Sequence, residues 1–232
     1  MRASAIVVAA GSGTRLGAKV PKAFVKLGEA TLLEWSLRII AQVGSIDEVV
    51  VAVPAGREAA ARDLARPLAL TVPLKVVAGG LERQDSVRRA LALTSSEAEL
   101  VVIHDAARPF ATPVMFDAVL EDARHHGGAI VAIPLADTLK RVDNGHIRET
   151  VPRAGLWLAQ TPQAFRRSLL VEAHDRAART ATLATDDADL VERLGGNVVV
   201  VLGSANNLKI TTPEDLRLAQ AWLAAEPPTA RT

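Results

Sequence analysis

The chain of 232 residues contains no cysteine. Disulfides, thiolate nucleophiles and cysteine-ligated metals are excluded, and a cysteine-free chain suits the cytoplasm. A dominant charge is lacking too. The 27 basic and 26 acidic residues leave a net charge of +1, so no overall field would draw the protein to nucleic acid or to an anionic membrane. Any anion recognition must come from local clusters of lysine and arginine. No apolar run approaches the ~18 residues that suggest a membrane span. The run from Ala5 to Ala10 is too short for a signal-peptide core and gives way to glycine. The expectation is a soluble, cytoplasmic protein.

What is present is ordinary for a globular α/β protein: 49% of residues are hydrophobic and 23% charged. Short runs rich in Val and Ile begin at Ala5, Glu48, Leu74, Leu100, Ala129 and Asn197. Unalternated and brief, they read as strands buried on both faces. Helical periodicity falls between them, at 31–42, 57–64, 85–93, 113–125, 166–179, 186–194 and 213–225. This alternation predicts an α/β fold with a doubly wound, mostly parallel sheet. One domain is expected over 1–225, with a flexible tail at 226–232. A β-arm at about 137–160 breaks the alternation. Asp143-Asn144-Gly145 is a hairpin turn signal, and Lys140, Arg141, Arg148 and Arg153 lie on or beside the arm. It reads either as a solvated surface hairpin or, since a lone hairpin is marginally stable, as an arm packed on a partner subunit.

Four clusters carry candidate chemistry. The first, Ala9-Ala10-Gly11-Ser12-Gly13-Thr14-Arg15-Leu16-Gly17, follows the first strand. Its glycines let backbone N–H groups approach phosphate. A dinucleotide fingerprint would need glycine at 16, where Leu16 stands, and a Walker A spacing is absent. Arg15 inside the loop and Lys22, presented by Pro21, favour a phosphate site over a plain turn. The second cluster is Gly79 to Ser86, in which Gly-Gly allows close approach to a base or ribose. Asp85 or Ser86 alternatively caps the following helix. His104-Asp105-Ala106-Ala107-Arg108-Pro109 closes a strand at the edge where open parallel sheets bind ligands. Asp105 there suits Mg²⁺ or a substrate hydroxyl, or pairs with Arg108 to shape the loop. Lys209 follows the last strand, before a helix start at Thr212-Pro213.

Together with DTLKRV, LWLAQTPQAF and TDDADLVE, these clusters resemble the 2-C-methyl-D-erythritol 4-phosphate cytidylyltransferases of the non-mevalonate isoprenoid pathway. The resemblance spans 9–216. It implies a nucleotide-diphospho-sugar transferase-like fold, a homodimer formed through the β-arm, CTP as co-substrate and a divalent cation, usually Mg²⁺. It gives Arg15 and Lys22 to the transition state, and Arg153 and Lys209 to the substrate phosphate. Ala9, Ala10, Gly11, Gly13, Thr14, Gly80, Arg83, Ser86, Asp105 and Ala106 would hold CTP, with Asp105 also as metal ligand. Asp105, Arg108, Thr138, Thr161 and Thr185 would line the acceptor side, several from the partner subunit. Some relatives carry a second, cyclodiphosphate-forming domain, which is not expected in a chain of this length. A phosphate monoester is already ionised near neutrality, with a second pKa of about 6, so the implied transfer needs no general base. Other readings stay open: a ribitol 5-phosphate cytidylyltransferase, a UTP- or GTP-dependent sugar-1-phosphate transferase, or a non-catalytic nucleotide-binding module.

Overall fold

The computed structural model describes residues 2–18 and 20–225; the expected tail lies outside them. The chain opens with β1 (Ala3–Val8), a loop, and the short pair β2 (Lys26–Leu27) and β3 (Ala30–Thr31). Next come α1 (Leu32–Ile40), β4 (Ile46–Val53), α2 (Glu58–Ala65), β5 (Leu74–Ala78), α3 (Arg83–Leu91), β6 (Leu100–Asp105), α4 (Pro113–His126) and β7 (Gly128–Pro134). The arm is β8 (Leu139–Asp143) and β9 (His146–Val151). It leads into β10 (Trp157–Arg166), α5 (Arg167–Thr180), α6 (Asp187–Glu192), β11 (Val198–Leu202) and α7 (Pro213–Ala225).

Seven strands form one sheet in the order β11-β7-β10-β6-β1-β4-β5. All neighbours run parallel except β10, which is antiparallel to both β6 and β7. Side chains alternate between faces along each strand. Ala3, Ala5, Val7, Val49 and Val51 pack with Leu33 and Leu37 of α1 and Phe116 and Leu120 of α4. Ile6, Val50 and Ile103, on the other face, pack with Val87 of α3, Leu170 of α5 and Leu190 of α6. Helices therefore cover both faces, as the alternation of elements predicts.

Two expectations change. The arm's paired strands end at Val151, and residues from Trp157 onward belong to the sheet. A strand containing Pro162 is hard to read in sequence because proline donates nothing to a ladder. Here Pro162 sits where the pairing of β10 with β7 is interrupted, between Ala159 and Gln163. Nor are all the Val-rich strands buried on both faces. β5 and β11 are the sheet's edges, and Val200 and Leu202 of β11 are exposed.

The topology fixes where a ligand can sit. From β1 the chain winds outward through β4 to β5, then returns to place β6 on the other side of β1. Strand order reverses between β1 and β6. That crevice, at the carboxyl ends, is where doubly wound sheets bind ligands.

Candidate active site

At the crevice lies a cleft of about 390 Å³. The loop after β1 forms one wall. Gly13 and Gly17 both adopt left-handed backbone, φ +73° and +65°, on either side of a single 3₁₀ turn at Thr14–Leu16. Leu16 is buried with Leu27, Leu32, Phe110 and Ile210. A leucine therefore stands where a dinucleotide loop has glycine, and it anchors the loop instead of approaching a ligand. Gly11 has open space where a Cβ would be, whereas a Cβ on Gly13 would meet the backbone nitrogen and Cβ of Lys22 at 3.0 Å. The Lys22 N–H donates to the Gly11 carbonyl at 3.4 Å. Loop and lysine are thus packed as one unit.

The second glycine pair has a partly internal cause. A Cβ on Gly79 would lie 2.4 Å from the Ala10 Cβ, and one on Gly80 would lie 2.2 Å from the Asp85 Cβ. At Gly79 the two walls of the cleft press together, and at Gly80 the turn closes on its own helix. The cap of α3 is Glu82, not Asp85. Asp85 occupies the third helical position and accepts from the Glu82 N–H at 3.3 Å. Ser86 Oγ accepts from the Gly80 N–H at 3.1 Å, fixing the turn.

Asp105, at the end of β6, is the electrostatic centre. Oδ1 accepts from Arg83 Nε at 3.1 Å, and Oδ2 meets Lys209 Nζ at 2.6 Å. Burial alone would raise this carboxyl's pKa, but the charges of Arg83 and Lys209 hold it far below the usual carboxylate range. Lys209 reaches it from a loop pinned to the sheet. Asn207 Nδ2 donates to Gln160 Oε1 and to the Thr161 carbonyl, and the Ile210 N–H donates to the Ala107 carbonyl at 2.8 Å. Lys22 is the reverse case. Burial and the neighbouring Lys209 lower its pKa to about 8, with Asp105 opposing and Arg15 adding to the depression.

The cleft brings together Ala9, Ala10, Gly11, Arg15, Lys22, Gly80, Arg83, Ser86, Asp105, Ala106 and Lys209, as the sequence suggests. Other expected residues stand apart from it. Gly13 and Thr14 shape the loop. Arg108 is buried and donates to the carbonyls of Asn207 at 2.7 Å and Ala159 at 3.3 Å, and its Nε lacks a partner. It makes no ion pair with Asp105 among the described residues. Thr161 is buried, and its Oγ1 accepts from the Asp105 N–H at 3.0 Å. Thr185 is exposed on the segment before α6, and Thr138 and Arg153 flank the arm, where Arg153 donates to the Ala136 carbonyl.

Two pairs have no counterpart in the sequence reading. Arg83 Nη1 also donates to buried Asp187 at 2.6 Å, and the other oxygen of Asp187 meets His174 Nε2 at 3.1 Å. His174 Nδ1 is buried without a partner. The Asp187 carboxylate can only accept, so Nε2 is the donor of that bond. An acidic residue among the buried Ala188, Leu190 and Val191 is the only sequence signal for this arrangement. His104 is the second case. It is fully buried, bonded to Thr161 Oγ1 and to the Arg108 carbonyl, and burial lowers its pKa to about 4.

No cluster of three metal-ligating side chains occurs among the described residues. Mg²⁺ commonly uses one or two carboxylates plus substrate phosphates. Asp105, across the cleft from the glycine loop, would fit a cation completed by a nucleotide's phosphates, although Lys209 would have to release Oδ2.

A glycine loop and four cations converging at the switch point of a doubly wound sheet define a nucleotide-dependent transferase. The family model described as 2-C-methyl-D-erythritol 4-phosphate cytidylyltransferase, IspD, matches residues 3–225. The enzyme of that name from Syntrophus aciditrophicus (strain SB) is 46% identical over 224 residues, covering 96% of each chain. The crystal structure of the Thermus thermophilus enzyme superposes with a TM-score of 0.82 at 40% identity, covering 97% of this chain and all of that one. The structure of 4-diphosphocytidyl-2C-methyl-D-erythritol synthase from Anaerococcus prevotii gives 0.85 at 31% identity, covering 96% of both. The chain belongs to this family.

Proposed function

We propose that this protein transfers CMP from CTP to 2-C-methyl-D-erythritol 4-phosphate, giving 4-diphosphocytidyl-2-C-methyl-D-erythritol and pyrophosphate. The observation that carries the reading is the convergence of Arg15, Lys22, Arg83 and Lys209 on one cleft, with Arg83 and Lys209 paired to the buried carboxylate of Asp105. An acceptor phosphate oxygen attacks the α-phosphorus, forming one P–O bond as the bond to pyrophosphate breaks. The nucleophile is ionised already, and His104 is committed to two hydrogen bonds away from solvent. Catalysis falls to positioning and charge stabilisation. The loop from Ala9 to Thr14, with Gly80, Arg83, Ser86 and Ala106, holds CTP. Arg15 and Lys22 bear on the charge developing across the triphosphate. Arg108, Thr138, Thr161, Thr185, Arg153 and Lys209 serve the acceptor. Asp105 contacts the acceptor and holds the divalent cation, which when bound neutralises phosphate charge.

A pyrophosphate-release assay tests the reading. With Mg²⁺, release is expected from CTP and methylerythritol phosphate, with UTP, GTP and ribitol 5-phosphate far slower. Equal turnover of ribitol 5-phosphate would overturn the acceptor assignment, and no release with any pair would return the chain to a binding module.

We further propose a cytoplasmic homodimer built through the arm. Val142, Ile147, Trp157 and Leu158 are exposed apolar side chains on or beside it, and Arg153 lies outside the cleft of its own chain. Arg153→Ala and Lys22→Ala chains, each inactive alone, are then expected to recover up to about a quarter of wild-type activity per dimer population when mixed at random, since one of each heterodimer's two sites is intact. No recovery in verified heterodimers would show that Arg153 does not act across subunits.

A further inference from the structure

Gln84 lies one residue beyond Arg83 on the first turn of α3, outside the cleft lining. Its side chain reaches the segment between α5 and α6. Nε2 donates to the Thr182 carbonyl at 3.0 Å, and Oε1 accepts from the Ala184 N–H at 3.1 Å. A primary amide serves a backbone acceptor and a backbone donor at once; a carboxylate cannot do so. The segment's other bonds run to its own flanking helices, from the Thr182 N–H to the Ala177 carbonyl at 3.0 Å and from the Thr185 N–H to Asp189 Oδ2 at 3.4 Å. Residues 181–186 form neither helix nor strand, Ala181 ends α5 in left-handed backbone at φ +49°, and Leu183 is 70% exposed. Further on, Asp186 caps α6 and accepts from Gln163 Nε2 at 2.9 Å. The first turn of α3 therefore grips this segment at two points, Gln84 at 182–184 and Arg83 at Asp187, with Thr185 between them.

We propose that Gln84 is a positioning residue for the acceptor. Through the 182–184 backbone it sets where Thr185 meets the sugar-alcohol phosphate, and it ties that placement to the helical turn that faces CTP. The inference rests on the reading of Thr185 as an acceptor contact. Gln84 touches neither substrate, so its loss weakens acceptor binding and spares the nucleotide.

Gln84→Met keeps the length of the side chain and removes both hydrogen bonds. Gln84→Glu keeps an acceptor for the Ala184 N–H and loses the donor to Thr182. Steady-state kinetics on both, with Thr185→Val as reference, and amide exchange across 181–187 make the test. In Gln84→Met the acceptor KM is expected to rise roughly 5- to 10-fold, the low end of what two net hydrogen bonds would give. The KM for CTP stays within about twofold of wild type, and the Ala184 amide exchanges faster while α6 stays protected. Gln84→Glu, which sets a carboxylate oxygen against the Thr182 carbonyl, raises the acceptor KM at least as far, and carries the same readout if the methionine variant does not fold. If Thr185→Val raises the acceptor KM and neither Gln84 variant does, Gln84 does not position the acceptor. If the KM values for CTP and acceptor rise together, Gln84 merely supports α3 and the inference is overturned. If Thr185→Val itself changes nothing, the assignment of Thr185 fails and the inference falls with it.

Discussion

Replacing Lys22 with alanine is expected to lower kcat by about 10²–10³-fold, the usual cost of losing one preorganised contact to developing charge, while the melting temperature stays level. The two halves of this expectation share a cause. The Lys22 ammonium has no ion-pair partner among the described residues, and burial with the nearby charges of Lys209 and Arg15 outweighs the attraction of Asp105 and Asp215. Holding it there helps the fold nothing in the absence of ligand, so its removal breaks no intramolecular bond. A triphosphate reverses the balance by supplying the anion the lysine lacks. The same crowding predicts a pH signature. The lysine is charged below about pH 8 and loses its proton as pH rises through that value, so kcat/KM, which reports the free enzyme, declines on an alkaline limb near pH 8. Lys22→Arg keeps the charge and moves that limb out of range, because guanidinium does not titrate there. Pyrophosphate-release kinetics against pH, with thermal unfolding monitored by circular dichroism, decide the matter. An unchanged kcat in Lys22→Ala, or an identical alkaline limb in Lys22→Arg, would remove Lys22 from the chemistry.

Much of this site is legible in the sequence because the fold puts ligand chemistry at predictable places. Arg15, Lys22 and Asp105 follow or end apolar runs, and in a parallel sheet those ends share one edge. Lys209 is legible for the same reason, and the loop from 204 to 210 carries it back to Asp105. What escapes is whatever depends on pairings between distant segments. Arg83 and Asp187 are 104 residues apart, and Gln84 and Ala184 are 100 apart. Neither residue type announces its partner. A buried aspartate inside a helix resembles any exposed one until the tertiary structure places Arg83 and His174 beside it.

The fold divides in the same way. Val and Ile runs mark strands, yet run composition reports a preference for pleated, packed surface and not a position in the sheet. β5 and β11 therefore read like β6, although strand order leaves them at the edges. β10 is the converse. Its proline argues against a strand, and only the interruption of its pairing with β7 makes room for Pro162 in the middle of the sheet. Arg108 shows how motif and geometry complement each other. The motif leads one to expect it on the acceptor side, while its hydrogen bonds fasten β10 at Ala159 to the loop at Asn207.

Asp105→Asn separates function from stability most sharply. The substitution is nearly isosteric and removes the carboxylate around which Arg83 and Lys209 are arranged. kcat/KM is expected to fall by about 10²–10³-fold or more, since several preorganised charges lose their reference at once. The loss of stability is expected to be much smaller, about 1–2 kcal/mol. Removing one partner of a fully buried ion pair costs about 3–5 kcal/mol because a charge is stranded, but neither cation is stranded here. Arg83 retains Asp187 at 2.6 Å, and the Lys209 side chain is 40% exposed and can turn to water. The sign of the pH dependence follows from the depressed folded-state pKa of Asp105. Its ionic contribution is complete above the unfolded-state pKa of about 4 and is lost as pH falls below that value, where only the unfolded chain takes up the proton. The stability gap between wild type and Asp105→Asn therefore stays constant from neutrality to about pH 5 and narrows below pH 4. Urea unfolding at a series of pH values measures the gap. A gap independent of pH down to pH 2 would show that the Asp105 carboxylate gains nothing from Arg83 and Lys209, and the electrostatic centre assigned to this cleft would have to lie elsewhere.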